Sequence, residues 1–110
     1  MNPPATEDEL LSRRLGLEGF RAIAGEVLEV LDPRTLAVVA TLRVHAVREG
    51  ASTPAMLQYA VTLRGPAEPA LAQGTYRMRH PTLGDYAIFV TPVARTEAGF
   101  DYEACFAHAP

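Results

Sequence analysis

Apolar side chains alternate with small or polar ones over residues 57–63: Leu57, Tyr59, Val61 and Leu63 are separated by Gln58, Ala60 and Thr62. Period two marks a half-buried strand, because successive side chains point to opposite faces. Residues 75–80 repeat it, with Tyr76 and Met78 on one side and Thr75, Arg77 and Arg79 on the other. The arginines identify the solvent side, since a charge is costly to bury. Residues 86–90 differ. Tyr86, Ile88 and Val90 form one apolar face, and Ala87 and Phe89 form a second. A strand of this kind is covered on both sides or takes part in a contact with another chain.

The pattern changes near the N-terminus. Residues 1–5 form a proline-containing tail, and Thr6 with Glu9 has the spacing of a capping box. Glu7, Asp8 and Glu9 suit the positive end of a helix dipole and Arg13 and Arg14 the negative end, with Gly16 able to close it. A helix over residues 6–15 is predicted, with Leu10, Leu11 and Leu15 as its apolar stripe. A second helical stretch follows over 17–24, stopped by Gly25. Residues 26–31 alternate again, and Asp32-Pro33 opens a type I turn. The longest predicted strand spans 36–47, where Leu36, Val38, Leu42 and Val44 alternate with Thr41, Arg43 and His45. Ala37 and Val39 break its alternation much as Ala87 and Phe89 do.

Turn formers separate the later strands. Gly65-Pro66 ends one and Gln73-Gly74 precedes the next, with Leu71 tucked beneath the loop between them. His80-Pro81-Thr82-Leu83-Gly84 makes a hairpin, in which Gly84 supplies positive φ. Residues 94–99 form a turn, and 101–107 a final strand with Tyr102, Ala104 and Phe106 inward and Asp101, Glu103 and Cys105 outward. The sum is a tail (1–5), a helical lead-in (6–25) and an antiparallel β domain (26–107). Six strands with no long helix between them exclude parallel crossovers. The expected fold is all-β, either a six-strand barrel or a two-sheet sandwich, with the N-terminal helix over an edge or an end.

Composition narrows the function classes. A chain of 110 residues is one domain by length, and 48% hydrophobic with 21% charged residues is ordinary for a globular protein. A net charge of -3 argues against nucleic-acid binding. Cys105 is the single cysteine, so no internal disulfide is expected. The chain shows no basic start leading into an apolar core and no apolar run of membrane-spanning length. A cytoplasmic protein without membrane contact is the expectation.

Several local sequences carry a resemblance. Leu17-Glu18-Gly19-Phe20 with Gly25, Leu63-Arg64-Gly65-Pro66, Gln73-Gly74-Thr75-Tyr76, His80-Pro81 with Leu83-Gly84, Phe89-Val90 with Pro92-Val93, and Tyr102-Glu103-Ala104 with Phe106 are among them. Together they resemble a family of small uncharacterised bacterial proteins with a domain-of-unknown-function label, often encoded beside proteins with a phage-tail-collar domain. The likeness runs over residues 17–106 and is best after Leu57. The matched positions are turn formers and core residues, so the resemblance implies a shared fold and brings no catalytic motif.

Candidate chemistry is sparse. His45, His80 and His108 lie far apart and share no ligand spacing with Cys105, so no metal site is expected, and His80 before a turn proline is expected at the surface. Cys105 shares its strand face with Glu103, which opposes thiolate formation, so a packed, unreactive cysteine is expected rather than a nucleophile. Ser12 and Ser52 lie in no nucleophile elbow, and no glycine-rich phosphate loop is present. Asp101 and Glu103 read as a solvated strand face rather than a glycosidase pair. Arg43, Arg64, Arg77 and Arg79 make a basic stripe that could hold an acidic partner or pair with Asp101 and Glu103. No catalytic residue, cofactor or metal is therefore expected. The expected function is a non-enzymatic protein-interaction module, self-associating or binding a protein partner through Phe89, Ala87, Val39 and Ala37. The neighbourhood that the resemblance implies points to a phage-tail-like or surface-appendage assembly. The alternative is a small-molecule-binding barrel lined by Tyr59, Tyr76, Tyr86 and Tyr102.

Overall fold

The computed structural model describes residues 9, 10 and 13–109. A short helix, α1 (Leu17–Ala22), leads into six strands: β1 (Val27–Leu31), β2 (Val38–Glu49), β3 (Leu57–Pro66), β4 (Gly74–His80), β5 (Gly84–Arg95) and β6 (Gly99–His108). The paired strands are antiparallel and close into a barrel in the order β1-β2-β3-β6-β5-β4. Closure comes from β1 against β4, where Glu29 faces Arg79 and Leu31 faces Arg77. Of the two architectures open to the sequence, the chain takes the barrel.

The alternating pattern decides what fills it. Val30, Leu42, Val61, Leu63, Val90 and Tyr102 are buried in a single apolar cluster. A barrel of so few strands is narrow enough for its own side chains to fill. At one end α1 lays Leu17 and Phe20, with Ile23 just after it, into the same cluster, and Phe20 packs its ring 5.3 Å from Phe106, centroid to centroid. Near the other end the Leu71 N–H donates to the Tyr102 hydroxyl at 2.8 Å. Gly84 takes the positive φ that its turn requires, at +86°. Gly99 has φ +156°, and its backbone runs so close to Gly65 and Pro66 that a Cβ would collide with both.

Several boundaries depart from the sequence reading. The ladder between β3 and β6 runs from Leu57 and His108 to Pro66 and Gly99, so both strands are longer than their alternating stretches. Leu36 lies outside β2, in the preceding turn with φ +62°. Val38 faces solvent rather than the core. The cause is a bulge: Leu31 faces Val38 while Val30 faces Ala40, which leaves Val39 as an extra residue and turns both valines outward. Half of the helix expected over residues 6–15 lies outside the described residues. Within them Glu9 and Leu10 are helical, but residues 13–16 are not. The Arg13 side chain is engaged on β5 instead, and the Leu15 carbonyl accepts from the Tyr59 hydroxyl.

Candidate interaction surface

The outer face of β5 has two different ends. At the hairpin end, Asp85 is only 7% exposed. The hairpin register sets Arg79 directly across from it, with Arg77 two residues further along β4. Arg77 Nε donates to Asp85 Oδ2 at 2.8 Å, and Arg79 Nε donates to Asp85 Oδ1 at 2.7 Å. Burial alone would push the Asp85 carboxyl up, but the hydrogen bonds and charges of Arg79 and Arg77 outweigh it and hold the carboxyl below its ordinary value. This node was readable from the turn: centring the hairpin on residues 81–83 puts position 79 opposite 85.

Further along the strand the surface turns apolar. Ala87 and Phe89 share the outer face, as period two requires. Ala87 faces Arg77, and Phe89 faces Thr75. Phe89 is 52% exposed, and Val93 beyond it is bare to a similar degree. Val39, at 46%, and the exposed Ala37 stand at the start of β2. Whichever way round the barrel is taken, two strands lie between β2 and β5. Along the route through β1 and β4 the row runs Val38, Leu31, Arg77, Ala87, so a guanidinium interrupts the apolar positions. The four residues form two pairs, one on β5 and one at the start of β2, where Ala37 immediately precedes the strand.

The arginine stripe is consumed within the chain. Arg64 Nε donates to Asp101 Oδ1 at 2.8 Å, and this bond is the main reason the Asp101 carboxyl lies below its ordinary value. Arg43 donates to the Gly25 carbonyl. Arg48, outside the predicted stripe, pairs with Glu103, and that hydrogen bond lowers the Glu103 carboxyl. Asp101 and Glu103 are thus half-buried partners of arginine, each on the strand face that the alternation assigned.

The histidines and the cysteine have structural surroundings. His80 is a correction to the sequence reading, because it is buried. Its Nδ1 accepts N–H bonds from Thr82 and Leu83, both 3.1 Å, which puts its ring hydrogen on Nε2, 2.7 Å from Glu26 Oε1. Separated from Gly84 by the three turn residues, this ring shapes the hairpin. His108 lies 3.3 Å from the Tyr59 hydroxyl through Nε2. Cys105 is exposed rather than packed away. Its thiol is pushed up, first by burial and then by Glu103, to which Sγ donates at 3.2 Å. A shallow depression of about 350 Å³ lies beside it, bounded by Arg48, Gln58, Ala60 and Ala107. Among the described residues no group of His, Cys, Asp and Glu has the arrangement of a metal site. Among them, too, no helix is long and apolar enough to cross a membrane.

The model of a family described as a domain of unknown function, DUF6916, matches residues 15–106. No curated protein and no solved structure matches the chain.

Proposed function

The chain belongs to the DUF6916 family, and from the surface just described we propose that it is a non-enzymatic protein-interaction module whose contact face is the outer side of β5 around Phe89. The observation that carries this reading is the exposure of Phe89 and Val93 on a strand whose inner side already supplies the core with Ile88 and Val90. Aromatic residues are enriched at binding surfaces. Charge has little part in it, since Arg77, Arg79 and Asp85 satisfy one another.

The strand edge is unsuited to the contact. Residues 91–95 of β5 ladder only to β6, and Pro92 lacks an N–H there. Proline on an open edge discourages pairing with a further strand. Recognition therefore runs through side chains. The non-enzymatic part of the reading draws on the commitments of the titratable groups: Cys105 is held as a thiol, and His80 has both ring nitrogens engaged. The ligand-binding alternative draws no support from the barrel interior, where Tyr59 and Tyr102 are themselves buried core.

We assign the module a cytoplasmic role as an accessory to a tail-like or surface-appendage assembly. That assignment rests on the resemblance and on the lone free cysteine. Affinity capture with the wild-type chain, Phe89→Asp and Val39→Asp as parallel baits tests the face. The expected outcome is a partner retained by wild type and Val39→Asp and lost by Phe89→Asp. Identical captured sets for all three would refute it.

A further inference from the structure

β5 and β6 separate toward the end of the barrel that α1 covers. β6 ladders to β3 along its whole length, but to β5 only from Phe100 to Glu103. β5 ladders to β4 from Gly84 to Val90 and to β6 only from Thr91 onward. Residues 84–90 of β5 and 104–108 of β6 therefore each carry a ladder on one side alone. Side chains line the gap between them, and a cavity of about 160 Å³ remains there.

The walls of this cavity differ in kind. Phe20 and Ile88, both buried, and the half-buried Phe106 give it an apolar floor. Arg13 and Arg14 line it as well, and among the described residues no acidic side chain does. Arg13 is engaged by neutral groups. Its Nη1 donates to the Asp85 carbonyl at 2.6 Å, its Nη2 donates to the Leu83 carbonyl at 3.1 Å, and the guanidinium lies 4.4 Å from the centre of the Tyr86 ring. These contacts fix the side chain without cancelling its charge. Arg14 is exposed, and among the described residues it has no ion-pair partner. Its charge is felt beside the cavity: burial pushes the Tyr59 phenol up, and Arg14 works against that rise. The Tyr59 hydroxyl in turn donates at 3.2 Å to the carbonyl of Leu15, another wall of the cavity. Arg48, Arg64 and Arg79, by contrast, each meet a carboxylate of the chain.

We propose that this cavity binds a small monocarboxylic acid as its anion, with a compact apolar group on Phe20, Ile88 and Phe106 and the carboxylate at the Arg14 guanidinium. Size sets the apolar part, since a cavity of about 150 Å³ takes one benzene ring. Charge sets the polar part. Two guanidinium groups stand at one mouth, and the planar fork of arginine matches a carboxylate in geometry. Arg13 keeps its hydrogen bonds and adds positive potential, while Arg14 is free to bond the ligand. An apolar body with a few placed polar groups is the usual make-up of a small-molecule site. This site lies outside the filled barrel interior and uses neither Phe89 nor Val93, so failure of the capture experiment leaves it standing.

Titration of the isotope-labelled full chain with sodium benzoate, followed by amide chemical shifts, tests it. Benzoate should shift the amides of Ala87, Ile88 and Phe106 saturably. Benzamide keeps the ring and loses the charge, and should bind about fivefold more weakly. Acetate keeps the charge and loses the ring, and should bind about tenfold more weakly. Arg14→Gln should weaken benzoate about fivefold and leave benzamide unchanged. Absence of a saturable shift at these amides would overturn the proposal. So would benzamide or acetate binding as tightly as benzoate, or full benzoate affinity in Arg14→Gln. The comparison of benzoate with benzamide needs only the wild-type chain, and it decides the matter should Arg14→Gln fail to fold.

Discussion

The two ends of β5 invert the ordinary arrangement of a protein surface. Asp85, a charged residue, is covered, while Phe89 and Val93, both apolar, are bare. Asp85 is covered because Arg77 and Arg79 close over it from β4 and Arg13 bonds to its backbone carbonyl. Phe89 has no such neighbour, since Thr75 stands opposite and is itself exposed. The charged end is therefore satisfied within the chain and contributes to stability. The apolar end contributes little to the fold and remains available to a second molecule. A buried charge is turned here toward structure, and the exposed ring is turned toward the contact that the proposed function requires.

Substitutions on either side of this contrast should separate stability from association. The largest effect on folding is expected for Asp85→Ala, which removes the well-buried carboxylate shared by Arg77 and Arg79 and should cost about 3 kcal/mol in urea unfolding. A loss below about 1 kcal/mol would mean that the node is no more than a surface pair. His80→Ala comes next, at about 2 kcal/mol, because the Thr82 and Leu83 N–H groups lose their acceptor. His80→Asn offers an oxygen near the Nδ1 position and should recover most of that loss. Equal destabilisation by both would show that ring packing, and not the acceptor, matters.

Acid sharpens the same contrast. The Asp85 carboxyl is lowered in the folded state, so its contribution is fully present above the unfolded value of about 3.9 and is lost as pH falls through the folded value. Wild type should lose stability relative to Asp85→Asn only below about pH 4. Parallel stability curves for the two proteins down to pH 2 would contradict it. Phe89→Asp should have the smallest effect on folding, within about 0.5 kcal/mol, as for other exposed sites.

Much of the fold was legible because period two is a direct consequence of strand geometry. Leu57, Tyr59, Val61 and Leu63 alternate with Gln58, Ala60 and Thr62, and all but Leu57 of the apolar set are fully buried. The turn chemistry at Gly84 was equally plain. What escaped was register and reach. The bulge at Val39 depends on how β1 meets β2, which alternation within one strand cannot show. His80 read as a surface residue because its pairing with the Glu26 carboxylate, 54 positions away, is a matter of tertiary geometry. Arg13 looked like the end of a helix, and its engagement with β5 across 72 positions of chain left no local trace. The apolar outer face at Ala87 and Phe89 was visible as broken alternation. Its separation from Ala37 and Val39 followed only from the order of strands round the barrel.

Sedimentation velocity over a wide concentration range, on wild type and Phe89→Asp, tests most directly whether the bare ring is an interface. The expected result is a sedimentation coefficient that rises with concentration for wild type and stays at the monomer value for a folded Phe89→Asp. A wild-type chain that is monomeric at every concentration, with Phe89→Asp unfolded, would place Phe89 in the structural core and contradict the proposed function.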